Sequence, residues 1–440
     1  MQENSRAAFH TLGCKLNQYD TQAMLEKFRQ AGYRIVPFEE EAEVYLINTC
    51  TVTGEGDRKS LQLARRIRRE HPHSALILCG CLAQRKGEEL LETGARLVLG
   101  TQRRGEVVTL LEKALREDTQ ICAVEALASA PYEPLTVSTQ EERTRAVMKI
   151  QEGCENRCTY CIIPSVRGPV RSRPLQEIRD EAVRLAAAGY QEIVLTGIHL
   201  SSYGRDLPQR ETLLDAVGEV QAVGGIRRIR LGSLEPTIAT AAFAEALAGM
   251  DKVCPQFHLA LQSGSDTVLA RMARRYNMKM YREAVACLRA TFPRAALTTD
   301  ILTGFPGETE EEFLETCDAV REIGFARIHV FPYSSREGTR AAQMPGQLSR
   351  EEKNRRAQEL IRIGHECAQR YLASWVGREA EVLLETEEEG SLLGYTPEYI
   401  RVAVPAGGKY AGGDAVRVRL CLGSGETMKG DVLGIQSRTV

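Results

Sequence analysis

The chain of 440 residues has no run of 18 apolar residues, so it offers no segment able to cross a bilayer as a helix. Its first residues, MQENSRAAFHTLGCK, lack the charged-then-apolar pattern of a secretory leader. The two absences lead us to expect a cytoplasmic protein with no membrane partner. That compartment is reducing and disfavours structural disulfides. The 13 cysteines are also odd in number, which excludes complete pairing. Metal or redox chemistry is the better use for them. An excess of one charge is missing too: 57 Lys and Arg stand against 59 Asp and Glu, a net charge of −2. With 43% apolar and 26% charged residues, the composition is that of a globular chain, and its length suits two or three domains.

What is there is first an alternation of strands and helices. Apolar strand-like runs at 7–13, 44–50, 75–81 and 95–101 are separated by helical segments, which predicts a doubly wound parallel sheet over 7–117. Cys14, Cys50 and Cys81 each fall at the C-terminal end of one of these strands, the edge where open parallel sheets bind ligands. Between them, DRKSLQLARRIRREH (57–71) reads as one helix. At about 100° per residue it gathers Leu61, Leu63, Ala64 and Ile67 on one side and Arg58, Lys59, Arg65, Arg66 and Arg69 on the other. An ordinary solvated helix has this pattern, and so does one that meets phosphates.

Residues 118–145 carry two prolines and no sustained period, and read as a linker. A second series over 146–348 has six strands, at 146–151, 192–200, 226–234, 257–263, 296–305 and 326–333. Six βα units are too few for a closed eight-fold barrel, so an open partial (β/α)6 barrel is predicted. A charged helix over 349–373 leads to a module over 374–440 where the period changes to two. There EAEVLLET, YIRVAV, AVRVRLCL and KGDVLGI predict a small β-barrel. Arg401, Lys409, Arg417, Arg419 and Lys429 make it basic, as suits either nucleic-acid binding or a structural cap.

The densest chemistry is GCENRCTYC (153–161), which follows the first strand of the second series. Cys154, Cys158 and Cys161 have the spacing C-x3-C-x2-C, and the following IIPSVRG supplies no fourth cysteine or histidine. A structural zinc site needs four ligands, and four-iron clusters are normally held by four thiolates. Three cysteines leave one iron open to bind a small molecule. This motif, with Tyr160 before Cys161, resembles the radical S-adenosylmethionine superfamily. There the open iron chelates the amino and carboxylate groups of S-adenosylmethionine, and an electron from the cluster releases a 5′-deoxyadenosyl radical. The resemblance implies a reducing electron donor, which the sequence does not identify.

TLGCKLNQYDT (11–21), INTCTVT (47–53) and LCGCLAQR (78–85) narrow the match to the methylthiotransferases, over nearly the whole chain, with a terminal barrel that looks like a TRAM domain. The resemblance implies two 4Fe-4S clusters, the second on Cys14, Cys50 and Cys81. By strand alternation Cys79 points the same way as Cys81; it reads as a core cysteine, with a substitute ligand as the other possibility. Lys15 and Gln18 in TLGCKLNQ are similar to the MtaB-type tRNA threonylcarbamoyladenosine methylthiotransferases. LTGIHLSSYG, RLGSLEP, HLALQSGSDTVLARMARRY and TTDILTGFPGET resemble the strand ends that hold S-adenosylmethionine, which makes Gly197, Ser233, Glu235 and Gln262 candidate contacts. Gly304 and Gly307 would allow close backbone approach to a ligand. Arg271, Arg274 and Arg275 suit the cofactor, RNA phosphates or a solvated face equally. His199, His258 and His329 read as core or polar lining, and the six remaining cysteines as small hydrophobes.

The activity so implied is delivery of a methylthio group to C2 of N6-threonylcarbamoyladenosine beside the anticodon, in the anticodon stem-loop of tRNA. S-adenosylmethionine would serve as methyl donor and as radical source, and the sulfur source is unspecified. The rivals are the isopentenyladenosine and ribosomal-protein methylthiotransferases, and a non-catalytic iron–sulfur RNA-binding protein. No residue beyond these is singled out as catalytic.

Overall fold

The computed structural model describes residues 5–128, 130–138, 144–407 and 409–436. Residues 129 and 139–143 of the expected linker, and 408 and 437–440 of the terminal module, lie outside them.

The first unit is a six-stranded parallel sheet of order β2-β1-β3-β4-β5-β6. Its strands are β1 Arg6–Thr11, β2 Arg34–Val36, β3 Val44–Thr49, β4 Ala75–Gly80, β5 Leu97–Leu99 and β6 Ile121–Ala123. VYLINT and ALILCG are buried at every position because helices cover both faces. Met24, Phe28 and Leu111 pack on one side, Ala64, Ile67 and Leu82 on the other. The covering helices include α1 Lys15–Gln30, α2 Gly54–Glu70, α3 Cys81–Lys86 and α4 Val107–Arg116.

Three expectations are corrected here. β2 is an added strand, three residues long, that no sequence period announces. β6 lies in the segment expected to be a linker: three residues carry no readable period, yet they pair with β5. β4 stops at Gly80, so Cys81 is not a strand residue but opens α3. Gly80 has φ +94°, and a Cβ there would lie 2.3 Å from Asn48 Oδ1 and 2.7 Å from Thr49 O, so the turn needs glycine. The alternation that would aim Cys79 and Cys81 alike is thereby broken. Cys79 stays in the core among Leu46, Ile77 and Leu97.

The second unit is the expected partial barrel. Its strands are β7 Arg145–Glu152, β8 Arg171–Ser172, β9 Glu192–Gly197, β10 Arg228–Leu231, β11 Ser233–Leu234, β12 Gln256–Leu259, β13 Ala296–Thr303 and β14 Arg327–Pro332. They form two sheets, β10-β9-β7-β8 and β11-β12-β13-β14, in which only β8 runs antiparallel to its neighbour. The strand expected at 226–234 is divided at Gly232 into β10 and β11, and Ile229 of β10 bridges Val253, just before β12. Ala146, Met148, Ile150, Ile193, Leu195, Ile229, Leu231, Phe257, Leu259, Leu297 and Ile301 share one core with the outer helices. By strand alternation the concave side is left to Arg145, Lys149, Gln151, Glu192, Arg228, Arg230, Gln256, His258, Thr298 and Asp300, and is therefore polar.

The helix Arg350–Ala373 leads to a closed barrel of order β15-β16-β17-β19-β18, from β15 Glu379–Glu388, β16 Ser391–Tyr395, β17 Arg401–Pro405, β18 Ala415–Ser424 and β19 Thr427–Gln436. β16 is absent from the period-two pattern. The β16–β17 loop docks on the N-terminal ends of the partial barrel's strands. The Tyr395 and Tyr399 rings stack 4.6 Å apart; Arg145 lies 4.7 and 5.0 Å from them, and Arg230 4.6 Å from Tyr399. Glu381 pairs with Arg227 and Arg228, and Glu385 with Arg145.

Candidate functional site

The cysteine loop leaves the C-terminal end of β7 and is held on both sides. Cys154 N–H donates to Gly168 O (3.0 Å), and Cys161 N–H to Cys158 O (3.1 Å). Thr159 N–H and its hydroxyl donate to Met272 O and Arg271 O, each at 3.0 Å. Two donors meet the sulfurs: Asn156 N–H reaches Cys154 Sγ (3.4 Å), and Arg274 Nη1 reaches Cys158 Sγ (3.1 Å). Arg274 also lies 3.3 Å from Glu235, which accepts from Asn156 Nδ2 and sits 2.9 Å from His199 Nε2. Burial alone would raise the Glu235 carboxyl, but His199, Arg274 and Asn156 outweigh it and hold it below the usual carboxylate range. The result is an ionised, nearly buried carboxylate beside the loop.

Gly197, Ser233 and Gln262 stand with Glu235 along this edge, at the end of β9, in β11 and after β12. Gly197 lies against Gln151, whose Oε1 accepts from His199 N–H (2.7 Å). Of the four, Glu235 is the one hydrogen-bonded to a residue of the loop, Asn156. Arg274 faces the cysteines; Arg271 pairs with Glu312 (2.6 Å), and Arg275 is exposed. His199, expected only to line the barrel, is the partner of Glu235; no spacing in the sequence marks the pair, 36 positions apart.

The other trio comes from three places. Cys14 is the N-cap of α1, Cys50 follows β3, and Cys81 opens α3. A Cβ on Gly13 would lie 3.0 Å from Cys50 Sγ, so the Cys14 loop rests on Cys50. Asn17 Nδ2 fastens them, donating to Leu12 O (2.7 Å) and Thr49 O (3.1 Å). Arg167, from the helix α5 Ile163–Arg167 of the second unit, donates from Nε to Cys81 Sγ at 3.1 Å.

Among the described residues no group of three or more His, Cys, Asp and Glu side chains is arranged to hold a single metal ion. Cysteines sharing a four-iron cluster stand wider apart than the ligands of one ion, so the donor chemistry is the test. Burial pushes the Cys81 thiol up to about 11 and Cys161 to about 12, and raises Cys50 and Cys154. A metal cluster requires thiolates, and in each trio a buried guanidinium donates to one sulfur. Thiol sets with cationic donors fit iron–sulfur clusters.

The basic helix α2 is partly neutralised: Arg58 and Lys59 pair with Glu55, and Arg66 and Arg69 with Glu70. No helix among the described residues is long and apolar enough to cross a membrane.

Comparisons with known proteins agree with this geometry. Residues 6–100 match the Uncharacterized protein family UPF0004, and residues 148–320 the Radical SAM superfamily. The chain is 42% identical over 403 residues to threonylcarbamoyladenosine tRNA methylthiotransferase MtaB of Bacillus subtilis, covering 90% of this chain and 89% of that one. The Thermotoga maritima protein of that name is 34% identical, with 89% of each covered. A tRNA-2-methylthio-N6-dimethylallyladenosine synthase of Pelotomaculum thermopropionicum is also 34% identical, with 86% of each covered. Among solved structures, the radical S-adenosylmethionine methyltransferase TsrM of Kitasatospora setae shares the fold, with a TM-score of 0.53, 12% identity and 77% of each chain covered.

Proposed function

Since the chain belongs to the radical S-adenosylmethionine methylthiotransferase family, we propose that it adds a methylthio group to C2 of N6-threonylcarbamoyladenosine beside the anticodon of tRNA. The observation that carries the substrate is the 42% identity to the Bacillus subtilis protein of that name, against 34% to the dimethylallyladenosine synthase.

On this reading Cys154, Cys158 and Cys161 hold one 4Fe-4S cluster with an open iron, and Cys14, Cys50 and Cys81 hold the second. When bound, the first cluster and S-adenosylmethionine supply the radical that activates C2, and a further S-adenosylmethionine supplies the methyl group. The chain's own residues bind and orient. Arg274 and Asn156 stabilise the barrel thiolates. Glu235, kept ionised by His199 and Arg274, would accept a hydrogen bond from a hydroxyl or amino group of the cofactor, with Gly197, Ser233 and Gln262 along the same edge. The compartment we infer is the cytoplasm.

Lys15 supports an anionic substituent on the adenine, because the other cations named on the polar concave face already have carboxylate partners. Arg145 pairs with Glu385, Lys149 with Asp20 and Glu152, Arg228 with Glu381, and Arg230 with Glu192. Lys15, next to Cys14, stands on the same side. Burial lowers its pKa, with Arg145 and Arg230 adding to the effect, although the side chain reaches solvent. It lies four residues before Tyr19, whose ring sits 5.6 Å from Lys149 Nζ, so both are on one helix face. The threonyl carboxylate would find a countercharge in Lys15; an isopentenyl group would not.

Mass spectrometry of tRNA nucleosides from cells lacking the protein tests the proposal. Loss of 2-methylthio-threonylcarbamoyladenosine with the isopentenyl products intact is expected. The opposite pattern would reject the substrate.

A further inference from the structure

A buried ion network separates the first unit from the second. Arg104 lies 2.8 Å from Glu133 and 3.2 Å from Glu152, and also pairs with Asp20. Lys149 lies 2.5 Å from Asp20 and 3.1 Å from Glu152. Arg167 lies 3.2 Å from Asp20, pairs with Glu152, and donates from Nη2 to Asn17 Oδ1. Arg171 is 3% exposed; it donates from Nη2 to Arg167 O (2.7 Å), but its Nε and Nη1 have no hydrogen-bond partner among the described residues. Among the described residues four cations thus face three carboxylates, all almost without solvent. A buried charge left uncompensated is costly. A four-iron cluster on three thiolates carries net negative charge, and the thiol nearest this network is Cys81, which Arg167 touches.

We infer that Arg167 is the positioning residue of the N-terminal trio, presented by the neighbouring unit, and that the surplus cation of this network is the countercharge for the cluster held there. The chain geometry adds a reason. Arg167 is six residues beyond Cys161, a ligand of the other trio, and α5 lies between, with Ile162 and Val166 packed on Cys81. This short segment therefore ties the two cysteine sites to each other. One rigid piece ends in a ligand of one site and in the hydrogen-bond donor of the other.

The inference rests on Cys14, Cys50 and Cys81 holding a cluster, and the test separates the two ideas. In full-length protein with Cys154, Cys158 and Cys161 replaced by Ala, about four irons should load anaerobically on the remaining trio. If none load, the cluster reading itself fails. If they load, Arg167→Gln should shift the reduced cluster's paramagnetic resonance signal. It should also move the midpoint potential to more negative values, because the reduced state loses a cation and a donor to sulfur. Removal of iron by a chelator should speed up about 10-fold or more, with Arg167→Lys intermediate. Loading of the other trio by Arg167→Gln, in the Cys14, Cys50 and Cys81 to Ala background, checks folding. If Gln fails that check, the Lys variant decides by the same signal and potential. Unchanged signal, potential and chelation rate in a folded variant would overturn the inference.

Discussion

The two cysteine trios use the same ligand type and the same kind of helper, yet are built in opposite ways. The barrel trio lies within eight residues of one loop, and its guanidinium, Arg274, comes from the same unit. The N-terminal trio is drawn from three strand ends, and its guanidinium comes from another unit, 86 positions from Cys81. A site made by local spacing needs little beyond its loop to exist. A site made by convergence needs the whole sheet and the neighbour's charge.

The sharpest way to break this comparison is to remove each trio. Replacing Cys154, Cys158 and Cys161 with Ala should abolish both 5′-deoxyadenosine and methylthiolated nucleoside in anaerobic turnover with dithionite. Replacing Cys14, Cys50 and Cys81 should leave 5′-deoxyadenosine measurable and abolish the methylthio product. Intact protein should hold about eight irons and each triple variant about four. Methylthiolated tRNA from the N-terminal variant would show that the trios do not divide the work.

Next comes the carboxylate beside the barrel trio. Glu235→Gln keeps the shape and loses the charge held by His199 and Arg274. We expect 5′-deoxyadenosine formation to fall about 10–100-fold with iron content unchanged. A loss of iron instead would make Glu235 part of the loop's support. Lys15, beside the other trio, should separate from it: Lys15→Met should raise the KM for threonylcarbamoyladenosine tRNA and leave cofactor cleavage without tRNA alone.

The terminal barrel bears on the comparison through its docking. Deleting residues 375–440 would strip Arg228 and Arg230, nearly buried, of Glu381, Tyr395 O and Pro397 O, so a fall in activity there would not report RNA binding. Changing Arg417, Arg419 and Lys429 to Gln is the cleaner test. The affinity for tRNA should drop, and the slope of its salt dependence should shrink by about one for each phosphate that no longer meets a cation. Unchanged binding would leave the barrel as a cap.

The smallest expected effect is on pH. Arg271, whose carbonyl accepts from Thr159 of the cysteine loop, holds the Glu312 carboxyl down to about 2 from the usual 4.5. A depressed carboxyl stabilises fully above its ordinary value and loses that contribution as pH falls through its folded value. In cluster-free protein, Glu312→Gln should remove this part of the acid dependence between pH 4.5 and about 2, read by thermal melting. An identical melting profile in the variant would place no part of the acid response on this pair.

What the amino-acid sequence alone determined follows from short-range regularity. The C-x3-C-x2-C spacing, the alternation of apolar runs with helical periods, and the change to period two near the terminus are all readable within windows of about 20 residues. They were enough for the partial barrel, the closed small barrel and the motif of Cys154, Cys158 and Cys161, whereas Cys14, Cys50 and Cys81 were drawn together only by their strand-end positions and the family resemblance. The short strands β2, β6 and β8, of two or three residues, carry no such period. That Cys81 opens a helix depended on a glycine turn against Asn48. The pairing of Glu235 with His199, of Arg167 with Cys81, and of Tyr399 with Arg145 and Arg230 was decided only by the tertiary structure. A buried charge takes whichever partner the fold brings within about 3 Å, and nothing in the local sequence around Arg167 distinguishes it from the many arginines that end in water.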